Sequence, residues 1–250
     1  MTQMGRRQIV LIHGFTQNAA SYRGLSETLF SPYELHIAEL PGHGDKEPLV
    51  PGQDSRDVAL EISSFYGKSV YVGYSMGARI ALRIALEHPG SVAGLVLISA
   101  TAGIQDQDER LQRRLDDERL AKHIREVPVE VFIKEWLAGP LFAHLTPEET
   151  GLKERCQNNG DKMASALLAL GQGNEEPMWD LLPNLAKNNI PVLILVGAND
   201  EKYVEIGRRL HKKIGAISQL DIIDNCGHSV LAEQPIKAAE LIMSFIAKYL

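Results

Sequence analysis

Residues 69–88 read SVYVGYSMGARIALRIALEH. The run SVYVG (69–73) is apolar without alternation, which suits a strand covered on both faces, as in a parallel sheet between helices. It passes at once into GARIALRIALEH (77–88), apolar at helical spacing and stopped by Pro89-Gly90. Four further runs of this kind stand out: QIVLI (8–12), GLVLISA (94–100), PVLILVG (191–197) and the weaker SQLDIID (218–224). His36 lies in another extended stretch, and the segment 235–250 begins with proline and is apolar at helical spacing. Strands alternating with helices predict an α/β fold, a mostly parallel central sheet flanked by helices.

The alternation stops after Ala100. Residues 101–189 hold no convincing strand but several helical stretches, among them 108–126 and 129–138. Nearly ninety residues are too many for a plain connection. We expect a core of residues 1–100 and 190–250, with 101–189 inserted as a helical cap.

The 250 residues suit one domain, or one with a large insertion. A net charge of −6 without a long basic run weighs against nucleic acid. An anionic substrate would therefore need local arginines. Cys156 and Cys226 stand in no metal or disulfide spacing. The apolar stretch before His13 is too short for a signal peptide core or a membrane span, so a cytoplasmic protein without membrane insertion is expected. G-x-G-x-x-G does not occur; neither a cofactor nor a metal is expected.

Gly73-Tyr74-Ser75-Met76-Gly77 matches G-x-S-x-G between a strand and a helix, the setting that motif requires. A serine on such a turn presents its hydroxyl at a helix N-terminus, where free N–H groups favour developing negative charge. A serine nucleophile or base needs a histidine, and the histidine an orienting carboxylate. Asp200 follows the 191–197 run, and His228 lies in the NCGH stretch before the last helix, giving the chain order Ser75, Asp200, His228. Taken singly, Asp200 reads as a helix cap and His228 as a loop histidine. The loop His13-Gly14-Phe15 after the first strand can supply an oxyanion N–H from Phe15, beside that of Met76. Cys226 lacks an elbow of its own and reads as packing, and His43 in PGHG as a turn residue.

Arg79 stands one helical turn after Ser75 among Ala78, Ile80, Ala81 and Leu82. An unpaired charge there would be costly. It is either half of a structural salt bridge or a fork for a substrate carboxylate. On 108–126, Arg113 shares a sector with Asp117, Leu120 and Ile124, opposite Leu111 and Leu115. A solvated face is the usual reading of such a charged run, and an inward arginine the alternative. In WLAGPLFAHL, Trp136, Leu141 and Phe142 read equally as core or as a pocket wall.

HGF, LPGHG, GYSMG, the AND aspartate and the CGH histidine together resemble the α/β-hydrolase superfamily over nearly the whole chain. The resemblance implies an eight-stranded, mostly parallel sheet with the site at the strands' C-terminal edge beneath a cap. GYSMGAR, RLQRRLDDERLA and the W-x-x-x-P-L-F segment further resemble the 2-succinyl-6-hydroxy-2,4-cyclohexadiene-1-carboxylate (SHCHC) synthase family of menaquinone and phylloquinone biosynthesis. That resemblance implies a lyase that eliminates pyruvate from an enolpyruvyl cyclohexene carboxylate, a small anionic substrate. It places Tyr74, Arg79, Arg113 and Trp136 at substrate-contacting positions and Ser75, Asp200 and His228 at the triad. Glu39 and Asp45 stand where the family usually has aspartate and serine. The residues by themselves leave open a hydrolase of esters or carbon–carbon bonds in small carboxylated ketones, or a capped ligand-binding receptor.

Overall fold

The computed structural model describes residues 8–22, 25, 30, 31 and 33–249. Residues 1–7 and Leu250, parts of the expected core and last helix, lie outside them. One sheet contains β1 (Gln8–Ile12), β2 (Glu34–Ala38), β3 (Ser69–Tyr74), β4 (Val92–Ile98), β5 (Val192–Gly197) and β6 (Ser218–Ile223). Its order is β2-β1-β3-β4-β5-β6 and every pairing is parallel. The eight strands that the resemblance implied are thus six among the described residues. Between β4 and β5 the described residues hold helices and no strand.

Alternate strand residues feed two cores. Val10, Ile12, Tyr71, Leu95, Leu97, Ile194 and Val196 pack toward α1 (Ser55–Tyr66), α2 (Met76–Glu87) and α8 (Glu201–Ile214). Ile9, Leu11, Val70, Val72, Val96, Ile98, Leu193 and Leu195 face α10 (Pro235–Tyr249). Each such side chain contributes about 1.5–3 kcal/mol when removed from water. The four interior strands are covered on both sides, which is why their sequences run apolar without alternation. The edge strands β2 and β6 are only half-buried along most of their length, and their sequence signal is correspondingly weak.

Between β4 and β5 lie α3 (Gln107–Glu126), α4 (Val129–Leu137), α5 (Leu152–Arg155), α6 (Gly160–Leu170) and α7 (Pro183–Lys187). Ala121, Ile124, Phe132, Ile133, Met163, Ala164 and Leu167 give this insert a core of its own, against which Phe15 and Trp136 pack. Polar bonds seat it on the sheet. Asn158 Nδ2 donates to Thr16 O at 2.7 Å, Gly44 N–H to Asn158 Oδ1 at 2.8 Å, and Asn18 Nδ2 to Glu154 O at 2.7 Å. Before α10, α9 (Val230–Glu233) forms a single turn. No helix among the described residues is long and apolar enough to cross a membrane.

Candidate active site

Ser75 joins β3 to α2 with φ 51° and ψ −108°. A non-glycine residue held there costs about 1–3 kcal/mol, and persists only where its surroundings enforce it. Gly73 and Gly77 are the enforcers. A Cβ at 73 would lie 2.4 Å from Gly77 O, and one at 77 would lie 2.1 Å from Ile12 O. Only glycine lets the strand, the helix and the end of β1 come this close. The Ser75 side chain makes no capping bond to α2, so its hydroxyl is left to a partner outside the helix.

That partner is His228, whose Nε2 lies 3.2 Å from Ser75 Oγ. His228 Nδ1 lies 2.6 Å from Asp200 Oδ2. Backbone bonds fix the histidine loop from both sides. Gly227 N–H and Ser229 N–H donate to the Glu233 carboxylate at 2.6 and 3.0 Å, and Ser99 Oγ donates to His228 O at 2.8 Å. Asp200 also caps α8, accepting Tyr203 N–H at 3.4 Å. The cap and triad readings of this aspartate therefore coexist. The Tyr203 ring stands edge-on to His228 at 4.5 Å, a contact for which the sequence carried no signal beyond a residue one turn after Asp200. Burial pushes the Cys226 thiol up to about 12, so this neighbour of the triad stays protonated and inert.

Ser75 opens onto a cavity of about 130 Å³ whose lining includes Phe15, Met76, Arg79, Arg113, Trp136 and Tyr203, and also Leu141 but not Phe142. Met76 is the first residue of α2, so its N–H has no partner within the helix. Trp136 meets Phe15 edge-on at 5.4 Å, and its buried Nε1 has no hydrogen-bond partner among the described residues. On α3, Asp117 and Ile124 are buried while Leu111 and Leu115 are exposed. Arg113 Nε donates to Asp117 Oδ1 at 2.8 Å. Tyr74 does not line this cavity. It lies behind the serine, its hydroxyl 3.0 Å from Ser229 Oγ and its pKa raised by burial to about 12.

Both readings of Arg79 find support in the geometry. The residue lines the cavity, yet its Nη1 also donates to Glu175 Oε2 at 3.3 Å and its Nη2 to Leu170 O at 2.7 Å. Burial pulls its pKa below the usual arginine value, and Glu175 opposes that pull. Sequence reasoning missed Glu175, in the unpatterned loop GQGNEEP, and Arg155. The latter is buried, donates to Thr150 O at 2.8 Å and to Phe15 O at 3.4 Å, and bonds Thr16 Oγ1. No carboxylate pairs with Arg155 among the described residues. Glu39 accepts Ala19 N–H at 3.0 Å and lies 2.8 Å from His13 Nε2, so it braces the start of the loop that carries Phe15. Asp45 is exposed.

A strained serine, an aspartate and a histidine, in this order after the ends of β3, β5 and β6, form a candidate serine triad of the α/β type. The chain belongs to the alpha/beta hydrolase family, whose family model matches residues 9–241. It is 30% identical over 251 residues to the putative 2-succinyl-6-hydroxy-2,4-cyclohexadiene-1-carboxylate synthase of Bacillus subtilis, covering 95% of this chain and 89% of that one. The 2-succinyl-6-hydroxy-2,4-cyclohexadiene-1-carboxylate synthase of Salmonella paratyphi C is also 30% identical, with 93% and 91% covered. Among solved structures, MenH from S. aureus superposes with a TM-score of 0.89 at 27% identity, over 97% of this chain and 94% of that one. A thermophilic esterase from Thermogutta terrifontis shares the fold, with a TM-score of 0.79 at 22% identity over 97% and 90%.

Proposed function

We propose that this protein is an SHCHC synthase, a cytoplasmic lyase of menaquinone or phylloquinone biosynthesis. It eliminates pyruvate from 2-succinyl-5-enolpyruvyl-6-hydroxy-3-cyclohexene-1-carboxylate, beneath a cap formed by residues 101–189. The observation that carries this reading beyond the relatives' names is the pairing of Ser75 with Arg79, Arg113 and the unpartnered Trp136 N–H around one small cavity. An ester hydrolase needs the triad, whereas a substrate with several carboxylates also needs the guanidinium groups. Buried Arg155, without a carboxylate, adds positive potential beside that cavity.

The substrate has a 3-ene with its enolpyruvyl oxygen on C5, and the product is a 2,4-diene. The reaction is therefore a 1,4-elimination of the C2 proton and the C5 oxygen substituent. Ser75, its own proton drawn to His228, takes the C2 proton, which the succinyl ketone makes acidic. Asp200 stabilises the imidazolium that forms. The N–H groups of Phe15 and Met76 hold the enolate oxygen. As the enolate collapses, C2=C3 and C4=C5 form and the C5–O bond breaks. His228 returns the proton to the departing enolpyruvate, which becomes pyruvate. No water is consumed and no acyl-enzyme forms. Arg79, Arg113 and Trp136 grip the substrate so that the C2 proton faces the serine, while Tyr74 steadies the histidine loop through Ser229.

The test is pyruvate release from freshly generated enolpyruvyl substrate by wild type, Ser75→Ala and Arg79→Ala, with a p-nitrophenyl ester in parallel. Release well above the spontaneous rate with feeble ester cleavage is expected of wild type, lost in Ser75→Ala and, in Arg79→Ala, reached only at higher substrate concentration. Release at the spontaneous rate with brisk ester turnover would sink the lyase reading and leave a hydrolase.

A further inference from the structure

Of the two arginines that line the cavity among the described residues, Arg79 comes from a sheet-packing helix and Arg113 from the insert, and the group that orients Arg79 comes from the insert. Glu175 is buried, and its two carboxylate oxygens are divided between two tasks. Oε1 accepts Ser55 Oγ at 2.8 Å, Arg83 Nε at 3.0 Å and Arg83 Nη2 as well. Oε2 is left for Arg79 Nη1. Arg83 is in turn held by Glu87, one turn further along α2, at 2.6 Å. Neither Ser55, Arg83 nor Glu87 lines the cavity. Charges thus alternate along a row that runs inward from exposed Glu87 through buried Arg83 and Glu175 to buried Arg79, and the row ends at the cavity.

We propose that Glu175 is a positioning residue for substrate binding: clamped by Arg83 and Ser55, its carboxylate fixes the Arg79 guanidinium so that its remaining N–H groups face the substrate's carboxylate. This role rests on Arg79 being a carboxylate-binding residue. A guanidinium held only by Leu170 O could pivot about that one bond, since Arg has five donors and several ways to use them. The second contact, to a carboxylate that three donors immobilise, removes the pivot. The same carboxylate separates two buried like charges four residues apart on α2, and so lets Arg79 keep its charge in a site with little water.

Glu175→Gln alone would strand two buried guanidinium groups. The test therefore uses the charge-balanced pair Arg83→Met/Glu175→Met, which deletes an ion pair for side chains of similar length and is expected to fold. The milder Ser55→Ala, which loosens the clamp, is run beside it. Expected for pyruvate release is a KM raised about tenfold in the pair and about two- to threefold in Ser55→Ala, with kcat retained. In an Arg79→Ala background the pair should have no further effect on KM, because Glu175 acts through Arg79. A folded pair with wild-type KM, or an equal KM increase in the Arg79→Ala background, overturns the proposal. An Arg79→Ala variant with wild-type KM overturns the reading of Arg79 itself.

Discussion

At the ends of β3, β5 and β6, the candidate catalytic groups are held through backbone. Ser75 sits in an enforced left-handed turn, Asp200 in a helix cap, and His228 in a loop fixed by two N–H groups and a carbonyl. In the insert, the cavity wall is made of long side chains held by other side chains: Arg113 by Asp117, Trp136 by Phe15 and Phe132, and the Glu175 that steadies Arg79 by Arg83. Backbone-held groups keep the tight geometry that proton transfer demands, whereas side-chain-held groups can adjust to a ligand. On the proposed function, chemistry falls to the strand ends and recognition to the insert, with Arg79 as the joint between them.

The largest expected effect breaks the strand-end side. His228→Ala should lower kcat for pyruvate release by about 10²–10⁴ while KM stays within a few-fold, measured by steady-state kinetics. A comparable loss of binding would mean that the triad region also recognises the substrate.

The seam between the two regions should fail in acid. His43, against Phe15 and His13, is fully buried, and desolvation lowers its pKa from 6.5 to about 3. The folded protein keeps it neutral, while the unfolded chain binds a proton near its ordinary value. The stabilisation is complete above pH 6.5 and is lost as pH falls toward 3, a change on the order of 3–5 kcal/mol at most. Urea midpoints measured across this range should fall with acid, and His43→Gln should flatten that limb.

Gly77→Ala sharpens the role of the elbow. A Cβ there meets Ile12 O at 2.1 Å, backbone that cannot swing aside, so stability should drop by about 1–3 kcal/mol, read as a lower Tm, and kcat should fall with it. The smallest expected effect lies in the insert. Trp136→Phe keeps the aromatic wall but removes the unpartnered N–H, and KM should rise only a few-fold with kcat unchanged, the worth of one neutral hydrogen bond.

The central strands and the Ser75 elbow were legible in the sequence because each depends on near neighbours in the chain, whereas Asp200 and His228 came from motif and chain order alone and meet Ser75 only through the fold. SVYVG is buried on both faces and reads as unbroken apolar residues. The elbow needs Gly73 and Gly77 for contacts made within two residues of Ser75 and with the end of β1. Edge strands β2 and β6 are only half-buried along most of their length, so their patterns blur. The insert's helices were visible as a stretch without strands, but which side of α3 faces inward stayed open until the structure buried Asp117 and Ile124. What could not be read were partners chosen by tertiary packing alone. Glu175 lies in a loop with no periodicity and meets Arg79 across 96 residues of chain. Arg155 reaches the Phe15 loop across 140. Whether Arg79 was a structural ion pair or a cavity residue was undecidable from its own helix, since the fold makes it both.

The most direct test of the division of labour is kcat and KM for pyruvate release by Ser75→Ala and Arg113→Ala beside wild type. The account predicts that Ser75→Ala loses at least about a hundredfold in kcat with KM little changed. Arg113→Ala should raise KM about tenfold and keep most of kcat. An Arg113→Ala variant that loses kcat as Ser75→Ala does, at wild-type KM, would contradict it.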